Sequence, residues 1–177
     1  RFKSNHYGLR IGKVTNVASK RHYQVTFWPN YTAKEVVMGT VDYARCYHQG
    51  IRVPNLELAM KELGDSLSVT WCEPQDREQH VWTAAGGEQT IPLKFTYSAE
   101  GPQHIELLEG APGSIWDGRT NPGIHHVGVW SDDVKGETEA LIAKGWTLAM
   151  AQASPDKGYG AFTYVQPPSG LIVELVW

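Results

Sequence analysis

Cysteine is nearly absent from this chain. Cys46 and Cys72 are the only two among 177 residues. Two are too few for a disulfide framework, and they lack the paired spacing of a zinc site. A reducing, cytoplasmic setting is the corresponding expectation. An excess of one charge is also missing, since 16 Lys and Arg against 19 Asp and Glu leave a net −3. That balance argues against nucleic acid or an anionic membrane surface as a partner. No run of about 18 apolar residues occurs, so no transmembrane helix is expected. The first residues carry no basic-then-apolar leader pattern. Neither a phosphate-cradling glycine loop nor a Gly-x-Ser-x-Gly nucleophile turn is present. Aromatic residues, by contrast, are plentiful: seven Trp, eight Tyr and four Phe. That content excludes a disordered chain, and a chain of this length buries roughly two-thirds of its unfolded surface.

An internal repeat organises the rest. His48, Gly50, Ile51, Asn55, Leu56 and Leu63 recur 78 residues later as His126, Gly128, Val129, Asp133, Val134 and Leu141. Repetition of this kind decides architecture before any local signal does. In the first copy Asn55 is a good N-cap, and Leu56, Ala59, Met60 and Leu63 form one apolar helical face with Gly64 as the expected stop. In the second, Asp132 or Asp133 caps a helix carrying Val134, Leu141 and Ile142, which ends at Gly145. Strands are expected at Leu67–Trp71, near Val81–Ala84, at Ile91–Tyr97 and Gln103–Leu108, then at Trp146–Ala151, Ala161–Gln166 and Leu171–Val176. Turn signals at 85–88, 100–102 and 167–170 separate several of them. Each half therefore reads strand–helix–strand–strand–strand and ends on a matching tripeptide, Ile105-Glu106-Leu107 or Val173-Glu174-Leu175.

Residues 1–40 belong to neither copy. Leu9–Val17 and His22–Trp28 alternate loosely, as a hairpin about residues 18–21 would. Met38-Gly39 fits as a native start, so the sequence leaves open whether 1–37 belongs to the fold.

The chemistry-bearing residues fall at matched places in the repeat. His48 and His126 lie on the first strand of each half, and Glu106 and Glu174 on the last. Two imidazoles and two carboxylates form a mixed N/O set suited to Zn, Ni, Co, Mn or Fe. A glycine stands two residues after each histidine, on the same face, where a ligand can approach closely. Any one of the four alone is more often a core or rim residue; four at equivalent positions are harder to dismiss. Cys46, Gly50 and Arg52 are expected on the His48 face, and His125 on the face opposite His126. His104 shares the Glu106 face and Trp130 the His126 face. Both are candidates for a ligand pocket, with a rim histidine and a core-filling aromatic as the alternatives. Trp82 is a similar cavity candidate, and Trp116 a candidate anchor for the segment between the halves.

The motifs Tyr47-His48-Gln49-Gly50-Ile51-Arg52-Val53-Pro54-Asn55-Leu56, Gln103-His104-Ile105-Glu106-Leu107-Leu108-Glu109, Ile124-His125-His126-Val127-Gly128-Val129-Trp130 and Pro168-Ser169-Gly170-Leu171-Ile172-Val173-Glu174-Leu175 resemble the vicinal oxygen chelate superfamily. That superfamily includes glyoxalase I, methylmalonyl-CoA epimerase, extradiol dioxygenases and the bleomycin and fosfomycin resistance proteins. The resemblance covers about residues 43–177. It implies an α+β fold of two βαβββ modules forming a curved mixed sheet around a metal-containing cavity. Module one is expected at 43–110, a linker at 111–122 and module two at 123–177, within a domain of 41–177 after an extension of 1–40.

On the family pattern His48, Glu106, His126 and Glu174 take all four metal positions, as in bacterial glyoxalase I. They would hold one divalent ion. The quartet favours the lyase, isomerase and epimerase branch, which stabilises an enediolate-type intermediate during proton transfer beside a carbonyl. Glu174 is the implied base, with Glu106 the second choice. Arg52 matches a glutathione-binding arginine, whereas Gly110 stands where the family's glutathione-binding Asn would be. Thr83 stands where the epimerase has a second glutamate, after Glu78-Gln79-His80-Val81. The implied partner is a small-molecule carbonyl or thioester substrate, and the implied assembly a homodimer. A metal-dependent dioxygenase and a non-catalytic binding or resistance protein are the alternatives.

Overall fold

The computed structural model describes residues 15–17, 20–22 and 39–177. The chain divides into two compact units, Arg1–Val41 and Asp42–Trp177. In the first, β1 (Thr15–Val17) pairs antiparallel with β2 (Lys20–His22), Val17 facing Lys20. Lys20 and Arg21, expected in the turn at 18–21, are therefore in a strand. The remaining hairpin arms, expected over 9–17 and 22–28, lie outside the described residues.

In the second unit the elements run β3 (Cys46–Arg52), α1 (Leu56–Leu67), β4 (Gln75–Thr83), β5 (Gly87–Tyr97) and β6 (His104–Gly110). A second set repeats the order: β7 (Gly123–Trp130), α2 (Val134–Ile142), β8 (Thr147–Ala151), β9 (Phe162–Gln166) and β10 (Ile172–Val176). The eight strands close into one mixed barrel in the order β10-β7-β3-β6-β5-β4-β8-β9. Pairing is antiparallel except between β3 and β6 and between β7 and β10, one parallel pair in each half. The halves meet through β3 with β7 and, on the far side, through the ends of β4 and β8. One chain thus closes its own cavity.

Both helices are capped as their sequences predict. The Asn55 side chain accepts the Leu58 N–H at 2.8 Å, and Asp133 accepts the Gly136 N–H at 2.8 Å. A further cap on α1 comes from another strand, since the Glu109 carboxylate accepts the Leu56 N–H at 2.7 Å. A negative group there also favours the helix dipole. α1 lays Leu56, Ala59, Met60 and Leu63 over Ile51, Val53, Ile105 and Leu107 on the outer face of β3 and β6. α2 buries Val134, Thr138 and Leu141 and packs over β8, β9 and β10.

Two expectations for α1 and its return need correction. The helix runs past Gly64 to Leu67 and stops at Ser68, whose backbone is left-handed at φ 58° and whose N–H reaches the Gly64 carbonyl. The strand expected at Leu67–Trp71 is absent apart from a single bridge of Trp71 to Ser98. Gly64 permits close approach rather than termination: a Cβ there would stand 3.3 Å from the Val69 carbonyl of the returning chain. β4, expected only near Val81–Ala84, begins earlier, at Gln75. Its first residues, Asp76, Arg77 and Glu78, are exposed, so they carry no apolar alternation to announce a strand.

The barrel interior divides into two parts. Val81, Ile91, Leu93, Leu108, Met150 and Tyr164 pack around Trp116 as an apolar fill. Trp116 comes from the segment joining the halves and is almost fully buried, so it anchors that segment as expected. Gly110 makes room for it, because a Cβ there would stand 2.5 Å from that of Trp116. Asp117 holds the same segment, accepting from the N–H groups of Gly113 and Arg119, from the Arg119 Nε and from the Thr120 hydroxyl. The other part of the interior, on β3, β6, β7 and β10, is polar.

Candidate metal centre

The β3–β7 pairing sets His48 opposite Gly128 and His126 opposite Gly50. The flanking parallel pairs set Gly50 opposite Glu106 and Gly128 opposite Glu174. Each glycine therefore lies between an imidazole and a carboxylate in one row across the sheet. A Cβ on Gly50 would stand 2.1 Å from the Cε1 of His126, and one on Gly128 1.9 Å from that of His48. No side chain fits at either place, so the two glycines form the floor over which the imidazoles lie.

The four side chains converge. The two Nε2 atoms are 2.8 Å apart. Glu106 Oε2 is 3.4 Å from His48 Nε2 and 3.2 Å from His126 Nε2. Glu174 Oε2 is 3.2 Å and 3.4 Å from the same atoms. All four residues are buried. One ligand atom each of His48, His126 and Glu174 lies within 4.8 Å of the others, a cluster that could hold a metal ion, and Glu106 approaches the same imidazoles.

These spacings fit a divalent cation. Bonds of about 2.0–2.2 Å separate adjacent ligand atoms by about 3.3 Å in a tetrahedron and about 2.9 Å in an octahedron. Charge points the same way. Burial opposes a charge on either imidazole, yet Glu174 and Glu106 outweigh it, holding His126 up at about 9 and raising His48 as well. Two Nε2 atoms 2.8 Å apart cannot both carry a proton without repulsion. A cation bound by neutral imidazoles and ionised carboxylates removes that conflict, with the charges summing to zero.

Two β-bulges shape the surroundings. Register shifts place Tyr47 as the extra residue of β3 and His125 as the extra residue of β7, each immediately before its histidine. A bulge re-aims side chains. Cys46 consequently pairs with Val129 and shares its outer face, rather than the His48 face expected for it. His125 turns toward His126 instead of away, and its Nδ1 lies 2.9 Å from the Nδ1 of His126. With His126 Nε2 committed to the centre, His126 Nδ1–H is the donor and His125 the acceptor. Burial, then the neighbouring His126, lower His125 to about 3 and keep it neutral. Orienting contacts of this kind tune metal ligands.

A second matched pair escaped the sequence reading. Tyr97 is the cross-strand partner of Glu106, and Tyr164 that of Glu174. Each phenol thus stands across from its carboxylate on the neighbouring strand. Burial, then the carboxylate charges, raise both phenols well above their ordinary value, so they keep their protons. Tyr164 also accepts from the Trp116 Nε1–H at 3.2 Å. The signal was present but offset: Tyr97 precedes Glu106 by nine residues, and Tyr164 precedes Glu174 by ten.

The remaining candidates separate. His104 and Trp130 line one cavity of about 370 Å³ together with Tyr47, Tyr97, Cys72 and Ser98. Arg52 does not join them, and its guanidinium reaches the Ile115 carbonyl at 3.4 Å instead. Thr83, where a second glutamate was sought, accepts from the Gly86 N–H and the Gln89 amide and so holds the β4–β5 turn. Cys46 and Cys72 are both free.

Residues 47–164 match the profile of the glyoxalase/bleomycin resistance protein/dioxygenase superfamily. The chain belongs to this family, the vicinal oxygen chelate superfamily of the sequence analysis. No curated protein matches it in sequence. Among solved structures it resembles a hypothetical protein of Bacillus halodurans C-125, with 17% identity over 74% of this chain and 91% of the other and a TM-score of 0.54. A methylmalonyl-CoA epimerase variant of Streptomyces coelicolor, in complex with 2-nitronate-propionyl-CoA, gives 18% identity over 75% and 92% with a TM-score of 0.54. The Mycobacterium tuberculosis methylmalonyl-CoA epimerase gives 16% identity over 79% and 91% with a TM-score of 0.54. At such identities these likenesses establish the fold. Among the described residues no helix is long and apolar enough to cross a membrane.

Proposed function

We propose that the chain is a metal-dependent lyase, isomerase or epimerase that moves a proton beside a carbonyl of a small molecule or thioester. The carrying observation is the convergence of two imidazole nitrogens and two carboxylate oxygens, 2.8–3.4 Å apart where imidazoles are involved. A divalent ion there, when bound, supplies Lewis acidity to a substrate oxygen. His48, His126, Glu106 and Glu174 hold it. Glu174 takes the proton. Glu106, in the other half, is the second choice for that base. Tyr97 and Tyr164 orient the carboxylates, and His125 orients His126. The four-ligand set leaves less room for dioxygen plus a bidentate substrate than three ligands would, which favours proton transfer over the dioxygenase alternative.

The same reading takes residues 43–110 and 123–177 as the two modules, joined by 111–122 and preceded by a separate extension of 1–40. It carries a cytoplasmic setting and a homodimer as its compartment and assembly.

Elemental analysis of the purified chain tests the metal, with one divalent ion per chain expected and a loss of affinity in His48→Ala and His126→Ala. Unchanged stoichiometry and affinity in both variants would rule the site out. For the base, Glu174→Gln keeps an amide oxygen for coordination but cannot accept a proton. Solvent-deuterium exchange into a bound carbonyl compound should then stay down by about 10²- to 10⁴-fold at full metal loading, with Glu106→Gln milder. The reverse ranking would exchange the two roles.

A further inference from the structure

The cavity beside the candidate metal centre has a chemistry that narrows its ligand. Tyr47 and Trp130 stack with ring centroids 3.9 Å apart and planes 14° from parallel. Trp130 nevertheless stays 43% exposed, leaving much of a large apolar surface uncovered. Tyr97, a third aromatic wall, connects this cavity to the centre: its ring lies 5.5 Å from that of His48, and it is the cross-strand partner of Glu106. The volume of about 370 Å³ matches the lower range of small-molecule pockets.

Positive charge is missing from these walls. Among the described residues none that lines the cavity is Lys or Arg. Arg45, on the segment leading into β3, is held by both carboxylate oxygens of Asp132 at 2.8 and 2.9 Å. Arg52 is turned to the Ile115 carbonyl. His104 spends its Nδ1–H on the Ser98 carbonyl at 2.7 Å, since a carbonyl can only accept. Among the described residues a phosphate or a peptide carboxylate finds no Lys or Arg lining this cavity. The centre, neutral in sum with a divalent ion, adds no net attraction for an anion.

We infer that the site takes an uncharged, planar aromatic ketone or hydroxyketone, its ring against Trp130 and Tyr47, rather than a coenzyme A thioester or a glutathione adduct. This rests on the metal-dependent carbonyl chemistry proposed above and specifies its substrate class.

The test uses the full chain, metal-free and loaded with Co²⁺, and three probes: 2-hydroxyacetophenone, acetyl-CoA and S-methylglutathione. Co²⁺ uptake and its visible band, compared with His48→Ala before any probe is added, judge the metal centre by itself. Calorimetric titration of the probes judges the cavity. 2-Hydroxyacetophenone should bind saturably, shift the Co²⁺ band and bind at least tenfold more tightly than either anionic probe. Trp130→Ala should weaken it about tenfold while Trp130→Phe retains most of the affinity. Tighter binding of acetyl-CoA or S-methylglutathione, or an affinity unchanged in Trp130→Ala, would overturn the inference. Failure of Co²⁺ to bind would count against the metal centre alone, because the ranking of probes can still be read on the metal-free chain.

Discussion

At the scale of single residues, the glycines define the centre as much as its ligands do. Gly50 and Gly128 each hold a position where a Cβ would enter an imidazole ring. Gly50→Ala or Gly128→Ala should therefore displace His126 or His48. Metal affinity should fall at least tenfold, with a stability loss of about 1–3 kcal/mol from overpacking. Calorimetric metal titration beside a urea melt checks both, and a retained affinity would mean that the imidazoles do not lie as described. Tyr164→Phe tests the support beneath Glu174. It leaves the buried Trp116 Nε1–H without its 3.2 Å acceptor. A loss of about 1–3 kcal/mol in chemical denaturation is expected.

At the scale of elements, the segment between β6 and β7 is held by a carboxylate. The backbone N–H groups of Gly113 and Arg119 lead in lowering Asp117 to about 2, from an ordinary 3.8. The group is thus ionised more readily in the folded chain than in the unfolded one. Its contribution to stability is full above about pH 4 and is lost as pH falls toward 2. Comparing urea melts of the parent chain and Asp117→Asn between pH 5 and 2 checks this. The parent should lose stability more steeply, and parallel pH dependences would contradict it. The helices were the most legible elements, because Asn55 and Asp133 sit where caps are needed and the apolar spacing follows them. β4 was the least legible, since its exposed charged half shows no alternation. Each bulge inserts one residue without altering residue type, so neither the turn of His125 inward nor the displacement of Cys46 could be read from period-two counting.

At the scale of the whole molecule, closure of the barrel within one chain sets how the centre responds to dilution. All four candidate ligands and the two tyrosines paired across from the carboxylates come from the same chain. Metal stoichiometry should stay at one per chain from micromolar down to nanomolar protein, whatever the assembly. A drop in bound metal that tracks loss of the dimer would instead point to exchange of modules between copies. Sedimentation at the same concentrations tests the homodimer itself. Closure uses most strand edges in intramolecular pairing, so association by adding strand to strand is not the expected route.

The repeat by itself determined the element order, the two helix caps and the equivalence of His48 with His126 and of Glu106 with Glu174. Those features are encoded locally, in residue type and spacing, and duplication made them visible. Only the tertiary structure decided that the four groups meet, that one chain closes the barrel, and that Tyr97 and Tyr164 stand behind the carboxylates. Register across strands distant in sequence controls each of these. A one-residue difference in spacing, nine from Tyr97 to Glu106 against ten from Tyr164 to Glu174, hides an equivalence that cross-strand pairing restores.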